Sequence, residues 1–150
     1  MNSLELATVI AKDETVQYQF QGVYSANNLP RRLQKGQSLI LNCCNSNLPG
    51  KHWLCLYQNS DDVLEMFDSF GNSPNVYGLN EKLPYSNIYI YNRKQLQGWT
   101  SNVCGVYCLF YLYYKTRDFP VDKIVNSAFS NDYNQNDCIV VDYVKQLYNL

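Results

Sequence analysis

Three residue types in this sequence could together activate a nucleophile: a cysteine, a histidine and a carboxylate. The cysteine is Cys104, within Gln97-Gly98-Trp99-Thr100-Ser101-Asn102-Val103-Cys104-Gly105-Val106-Tyr107-Cys108. The stretch opens as a polar, glycine-containing turn and runs into an apolar segment ending near Tyr114, so it reads as a loop feeding a buried helix. Thr100, Ser101 and Asn102 are all good N-cap types, which places the helix start there and Cys104 in its first turn. Unpaired N–H groups and the positive end of the helix dipole favour thiolate over thiol at such a position. Gly105, directly after the cysteine, leaves room for another chain to approach, as attack on a peptide carbonyl requires.

A thiol nucleophile needs a base, and the sequence holds one histidine, His52. The base in turn needs an orienting group. Asp68 is suitably placed in Glu65-Met66-Phe67-Asp68-Ser69-Phe70-Gly71. His52 to Tyr57 and Val63 to Asp68 both read as strands, joined by a polar turn over Asn59 to Asp62. In an antiparallel hairpin the start of one strand lies beside the end of the next. The pattern therefore brings His52 next to Asp68 although 16 residues separate them. Each residue alone has an ordinary reading: a buried core cysteine, a hydrogen-bonded structural histidine, a turn aspartate. Together they have the logic of a Cys-His-Asp triad.

The remaining elements must position these three. Ser3 to Ala11 reads as an amphipathic helix with Ser3 as candidate cap, and Gln17 to Tyr24, Gln37 to Cys44 and Asn87 to Tyr91 read as strands. Ser25 to Gly36 is a polar loop whose Arg31-Arg32 pair reads as solvated surface, Asn45 to Gly50 a turn, and Ser69 to Leu83 a loop. Pro120 to Phe129 reads as a helix, and Asp137 as the cap of a last helix over Cys138 to Tyr148. The class is α+β: a mixed, mainly antiparallel sheet packed against a central helix that carries the nucleophile. No linker or repeat divides residues 1–150, which read as a single domain.

Composition narrows the function classes. Hydrophobic residues make up 46% and aromatics 15%, as in a folded globule. A formal net charge of -1 offers no basic excess for nucleic acid or an anionic membrane. No apolar run has the length of a membrane span, and Met1 to Thr15 does not read as a signal peptide. The six cysteines include the adjacent Cys43-Cys44 and the helical pair Cys104 and Cys108, spacings that argue for thiols in a reducing, intracellular compartment. With one histidine and no C-x-x-C pair, no metal site is expected.

Gln97, seven residues before Cys104, completes a pattern. With Gly50-Lys51-His52-Trp53-Leu54 and Phe67-Asp68-Ser69-Phe70-Gly71, the segment resembles the adenovirus endopeptidase (adenain) family of cysteine proteases. That family is related to the proteases that process ubiquitin-like modifiers such as SUMO. The resemblance runs from about Phe20 to Phe119. It implies a papain-like, adenain-like fold, with Cys104 as nucleophile, His52 as general base and Asp68 as orienting carboxylate. It implies that Gln97 donates its amide to an oxyanion hole together with the Cys104 N–H, a contact typically worth ~3 kcal/mol. Trp53 would pack near the histidine and shape the substrate groove, with Gly105 beside it. Adenain more often carries Glu at the position of Asp68; Asp is usual in the modifier-processing relatives.

The implied activity is endoproteolysis of precursor polypeptides, as in maturation of structural proteins of a DNA virus, virophage or virus-like transposon. That would place a monomeric enzyme in a host nucleus, a cytoplasmic virus factory or the virion. An isopeptidase removing a ubiquitin-like modifier is the alternative within the same chemistry, and an inactive protease-fold binding module the alternative outside it. The chain is shorter than adenain. Where adenain bears the cysteine that takes its disulfide-linked activating peptide, this sequence has Ser86, so no covalent activator is expected; a non-covalent peptide stays open. No cofactor is required by the sequence, and strong DNA binding is not expected at this charge.

Overall fold

The computed structural model describes residues 1–43, 52–59, 63–83 and 89–150. Five strands form one sheet in the order β1 (Phe20–Ser25), β2 (Ser38–Asn42), β3 (Trp53–Gln58), β4 (Leu64–Phe67), β5 (Tyr89–Tyr91). The β2–β3 and β3–β4 pairs are antiparallel, whereas β1–β2 and β4–β5 are parallel. The expected sheet was mainly antiparallel; the observed one is evenly divided. Turn signals expose a hairpin in a sequence, but a parallel neighbour is joined through a longer crossover that carries no such local mark. The Asn45 to Gly50 turn, the Ser86 position and most of the Asn59 to Asp62 turn lie outside the described residues.

Both sheet faces are covered, which explains the unbroken apolar runs in the central strands. Ile40, Cys55 and Phe67 face one core with the helices, while Leu39, Leu41, Leu54, Leu56, Leu64 and Met66 face a second core closed by Leu33, Leu79 and Leu83. The central helix, α4 (Cys104–Lys115), lies in the first core, with Tyr107, Cys108, Leu109, Tyr111 and Leu112 fully buried. Around it lie α1 (Ser3–Ile10), α2 (Glu14–Gln17), α5 (Val121–Asn126) and α6 (Tyr133–Leu147); α3 (Leu79–Lys82) belongs to the second core.

Several caps differ from expectation. Helix α1 is capped by Asn2, not Ser3: the Asn2 side chain accepts from the Glu5 N–H at 2.9 Å, and Glu5 accepts from the Asn2 N–H at 2.7 Å. Asp13 caps the short helix α2, which takes in Gln17, the expected start of the first strand, so that β1 starts only at Phe20. Asp132, not Asp137, caps α6, which starts five residues earlier than expected; Asp137 sits inside the helix and accepts from the Tyr107 hydroxyl at 2.9 Å. The N-cap of α4 is Val103, with no side-chain cap. Thr100, Ser101 and Asn102 do not cap it, and the Ser101 hydroxyl is used elsewhere, as described below. Among the described residues, no helix is long and apolar enough to cross a membrane, and Cys55, Cys108 and Cys138 are free thiols.

Candidate active site

His52 directly precedes β3 and Asp68 directly follows β4. The register pairs Cys55 with Phe67, which sets both residues at the same end of the hairpin. His52 Nε2 lies 2.7 Å from Asp68 Oδ1. The other ring nitrogen, Nδ1, is left for the Cys104 thiol, to which His52 is hydrogen-bonded. The imidazole thus stands between a buried carboxylate and the first residue of α4. Phe70 stacks on the histidine ring, with centroids 4.3 Å apart and planes at 18°. That contact fixes the ring plane and keeps water off one face.

The electrostatics follow from this placement. Burial works against an imidazolium at His52, but the hydrogen bonds with Asp68 and Cys104 and the charges of both outweigh it, raising the group to about 9. Burial likewise pushes the Cys104 thiol up. The His52 hydrogen bond, the backbone amides of Trp53 and Gly105 and the positive charge of His52 outweigh it, so the thiol falls below its ordinary value. Opposite shifts of the two partners favour a thiolate–imidazolium pair. No side chain caps α4, and the Gly105 N–H in its first turn serves the sulfur.

Asp68 is fully buried and held from all sides. Oδ1 also accepts from the Phe70 N–H at 2.9 Å; Oδ2 accepts from the Tyr77 hydroxyl at 2.5 Å and the Asn72 N–H at 3.2 Å. Its backbone is clamped by Asn92, just past β5, whose carboxamide accepts from the Asp68 N–H at 2.8 Å and donates to the Asp68 carbonyl at 2.5 Å. Burying a carboxylate is costly unless its lone pairs are taken up in this way.

Gln97 is fully buried, with Oε1 accepting from the Ser69 hydroxyl at 2.6 Å and Nε2 donating to the Ser101 hydroxyl at 3.0 Å. The Ser69 carbonyl accepts the N–H groups of Leu96 and Gln97 at 2.9 and 3.0 Å. Gly71 backs onto the same segment: its φ is +75°, and a Cβ there would lie 2.9 Å from the Gln95 nitrogen. The loop carrying Asp68 and the loop carrying Gln97 are therefore zipped together. From the other side, Asn136 Nδ2 donates to the Leu96 carbonyl at 3.0 Å, and the Tyr107 hydroxyl lies 3.2 Å from the same oxygen, its one proton shared with Asp137.

Trp53 and Gly105, expected to shape the substrate groove, are both buried. The Trp53 indole N–H donates to the Met1 carbonyl at 3.0 Å. A Cβ at Gly105 would lie 3.2 Å from Leu6 Cδ2, 3.3 Å from Trp53 Cδ1 and 3.4 Å from Met1 Cβ. Gly105 does admit a close neighbour, but that neighbour is the N-terminal helix of the same chain. What both residues offer the site is backbone, through the amides that face the cysteine sulfur.

Sequence reasoning passed over Tyr77, Asn92, Ser69 and Asn136. Tyr77 and Asn92 carry no local signal, since each reaches Asp68 through the fold. Ser69 could have been noticed from its place beside Asp68.

No protein-family description matches the sequence, and no curated protein matches it. Two solved structures share its architecture. One is the ASFV pS273R protease, at 20% identity and a TM-score of 0.51, covering 75% of this chain and 44% of that one. The chain thus spans less than half the length of that protease. The other is the central domain of an uncharacterised Legionella pneumophila protein, Lpg1148, at 12% identity and a TM-score of 0.52, covering 100% of this chain and 98% of that domain. At these identities the likeness is one of fold: helices packed on a mixed sheet.

Proposed function

We propose that the protein is a cysteine endopeptidase of papain-like, adenain-like architecture in which Cys104, His52, Asp68 and Gln97 form the catalytic set. The observation that carries this reading is the continuous chain from the Asp68 carboxylate through the His52 ring to the Cys104 thiol. The fold shared with a protease supports it.

On this reading the Cys104 thiolate attacks the scissile carbonyl carbon, forming a C–S bond and moving the carbonyl electron pair onto oxygen. The oxyanion is met by the Cys104 backbone N–H and by Gln97 Nε2, which carries a second proton besides the one given to Ser101. Imidazolium then gives its Nδ1 proton to the amine, the C–N bond breaks, and an acyl-enzyme remains. Neutral His52 next takes a proton from water, whose oxygen attacks the thioester and releases the acid with restored thiolate. Asp68 keeps the ring in one orientation and offsets its positive charge throughout. The reaction needs no cofactor. The substrates are precursor polypeptides, as in virion maturation, and a non-covalent activating peptide would act by holding this geometry.

The test pairs thiol chemistry with cleavage. Cys104 should alkylate rapidly with iodoacetamide below pH 8. An unstructured polypeptide mixture should be cut by wild type and left intact by Cys104→Ala. Gln97→Ala should lower cleavage by about 100-fold while Cys104 still alkylates fast, because alkylation develops no oxyanion. Slow alkylation together with no cleavage by wild type would overturn the reading.

A further inference from the structure

The aromatic stack on His52 does not end at Phe70. The Trp99 ring lies against Phe70, with centroids 4.8 Å apart and planes at 38°. Three rings therefore run in series from the buried histidine to solvent. Trp99 is 64% exposed, against 3% for Trp53. An indole left in water forgoes substantial apolar burial, so its place on the ring that stacks on His52 calls for an occupant.

The indole is also held in position. Trp99 sits in a tight turn closed by the Ser101 N–H donating to the Gly98 carbonyl at 3.0 Å. The turn is braced from within by Gln97 Nε2 on the Ser101 hydroxyl. Gly98 packs on Tyr133, the first residue of α6, whose Cβ would lie 3.6 Å from a Cβ at Gly98. The ring is thus carried by the loop that holds Gln97, two residues from it, and rests on the ring that stacks on His52. Large, rigid and preorganised aromatics of this kind supply binding area at little entropic cost.

Resting on the peptidase reading above, we infer that Trp99, seated on Phe70, forms a subsite for an apolar side chain, aromatic or branched aliphatic, flanking the scissile bond of the polypeptide substrate. The occupant is the substrate itself, because the exposed indole is continuous, through Phe70, with the imidazole that serves the thiol.

Two alkylating probes separate this inference from the peptidase reading. Iodoacetamide reports the reactivity of Cys104, the thiolate displacing iodide; N-benzyl iodoacetamide performs the same displacement and adds a phenyl group for the subsite. The quantity read is the ratio of the two rates at Cys104, divided by the same ratio for free N-acetylcysteine, so any general change in thiol reactivity cancels. Wild type should prefer the benzyl probe by about 5- to 10-fold, Trp99→Phe should keep much of that preference, and Trp99→Ala should drop to within about twofold of the free thiol. Unfolding midpoints check that the variants fold. A wild-type ratio equal to that of the free thiol, or a preference undiminished in Trp99→Ala, overturns the subsite. Slow iodoacetamide reaction with a Trp99-dependent preference would sink the peptidase reading and with it the subsite as a substrate site, leaving only an apolar contact for the probe.

Discussion

At its N-terminus α4 presents Cys104 to His52 and Asp68; at its C-terminus it presents Lys115 to Glu65 on the same β-strand that ends at Asp68. Lys115 Nζ lies 2.6 Å from Glu65 Oε2, with both side chains about nine-tenths buried. The ammonium sits 5.2 Å from the Tyr57 ring centroid, and the Tyr111 hydroxyl lies 3.4 Å from the same carboxylate oxygen. Each end of the helix thus meets the charge its dipole favours, an anion at the start and a cation at the finish. The chemistry differs. The lysine–glutamate pair pins the helix to the sheet, while a thiol–imidazole pair can pass a proton from sulfur to nitrogen and gain a nucleophile by doing so. The comparison teaches that a buried ion pair across α4 and β4 is a structural device, and that reactivity belongs to the end where a proton can pass between sulfur and imidazole.

The largest effect should come at the reactive end and should be chemical, not structural. Cys104→Ala should abolish the fast-alkylating thiol altogether, with little change in unfolding midpoint. His52→Ala should slow alkylation of Cys104 at pH 7 by about tenfold or more, since the thiol loses its strongest hydrogen bond and its neighbouring positive charge. If His52→Ala alkylates as fast as wild type, the N-terminal end is no more reactive than any helix-start cysteine, and the contrast between the ends collapses.

At the other end the effect should be large in stability and absent in reactivity. Lys115→Met leaves a buried Glu65 without its cation, at a cost of about 3 kcal/mol in denaturant unfolding. The double variant Lys115→Met with Glu65→Leu should recover most of that loss, because exchanging a buried ion pair for apolar groups of similar size is close to neutral. Neither variant should alter the alkylation rate of Cys104 beyond about twofold. A large change there would mean that the two ends are coupled through the helix.

The pH dependence sharpens the same contrast. His52 is raised from 6.5 to about 9, so what its charge adds to stability is fully present below pH 6.5 and is lost as pH rises through about 9. Cys104 is lowered, so what its thiolate adds is fully present above the ordinary thiol range and is lost as pH falls through its depressed value. The ion pair occupies the window between. Thiolate absorbance should therefore persist below the ordinary thiol range, and cleavage should fall above about pH 9, where the leaving amine finds no proton donor. A cleavage profile still rising past pH 9 would show that imidazolium is not the acid.

What could be read from the sequence, and what could not, follows a physical line. The His52–Asp68 contact was legible because a hairpin is local: two apolar runs and a polar turn set its register. The Cys104 helix was legible from its apolar length, although its start was misread. Ser101 looks like a cap by type, yet its hydroxyl is taken by Gln97, a pairing visible only once the loop has closed. That Met1 and Leu6 pack on Trp53 and Gly105 was not legible, because nothing local in the sequence marks that contact. The parallel strands β1 and β5, and the clamps Asn92, Tyr77 and Asn136, act across long separations, and no periodicity or turn signal marks such contacts.

Tyr77 offers the smallest and most discriminating change. Its hydroxyl is one of two donors on Asp68 Oδ2, and its ring centroid lies 6.1 Å from that of His52 without touching the thiol. Tyr77→Phe keeps the ring and removes the donor, so about 1 kcal/mol of stability should be lost. The Asn72 N–H would still hold Oδ2, which argues against collapse of the loop. With less of its charge drawn toward Tyr77, Asp68 should accept more strongly from His52 and hold the imidazolium to higher pH. The upper limb of the cleavage profile should then move upward while the rate at neutral pH falls only a fewfold. A shift in the opposite direction would mean that the hydroxyl's main service is to aim the carboxylate, and that its loss loosens the His52 contact instead of strengthening it. The corresponding probe at the far end, Tyr111→Phe, removes a donor from Glu65 and should leave the profile where it was, because no proton moves there during the reaction.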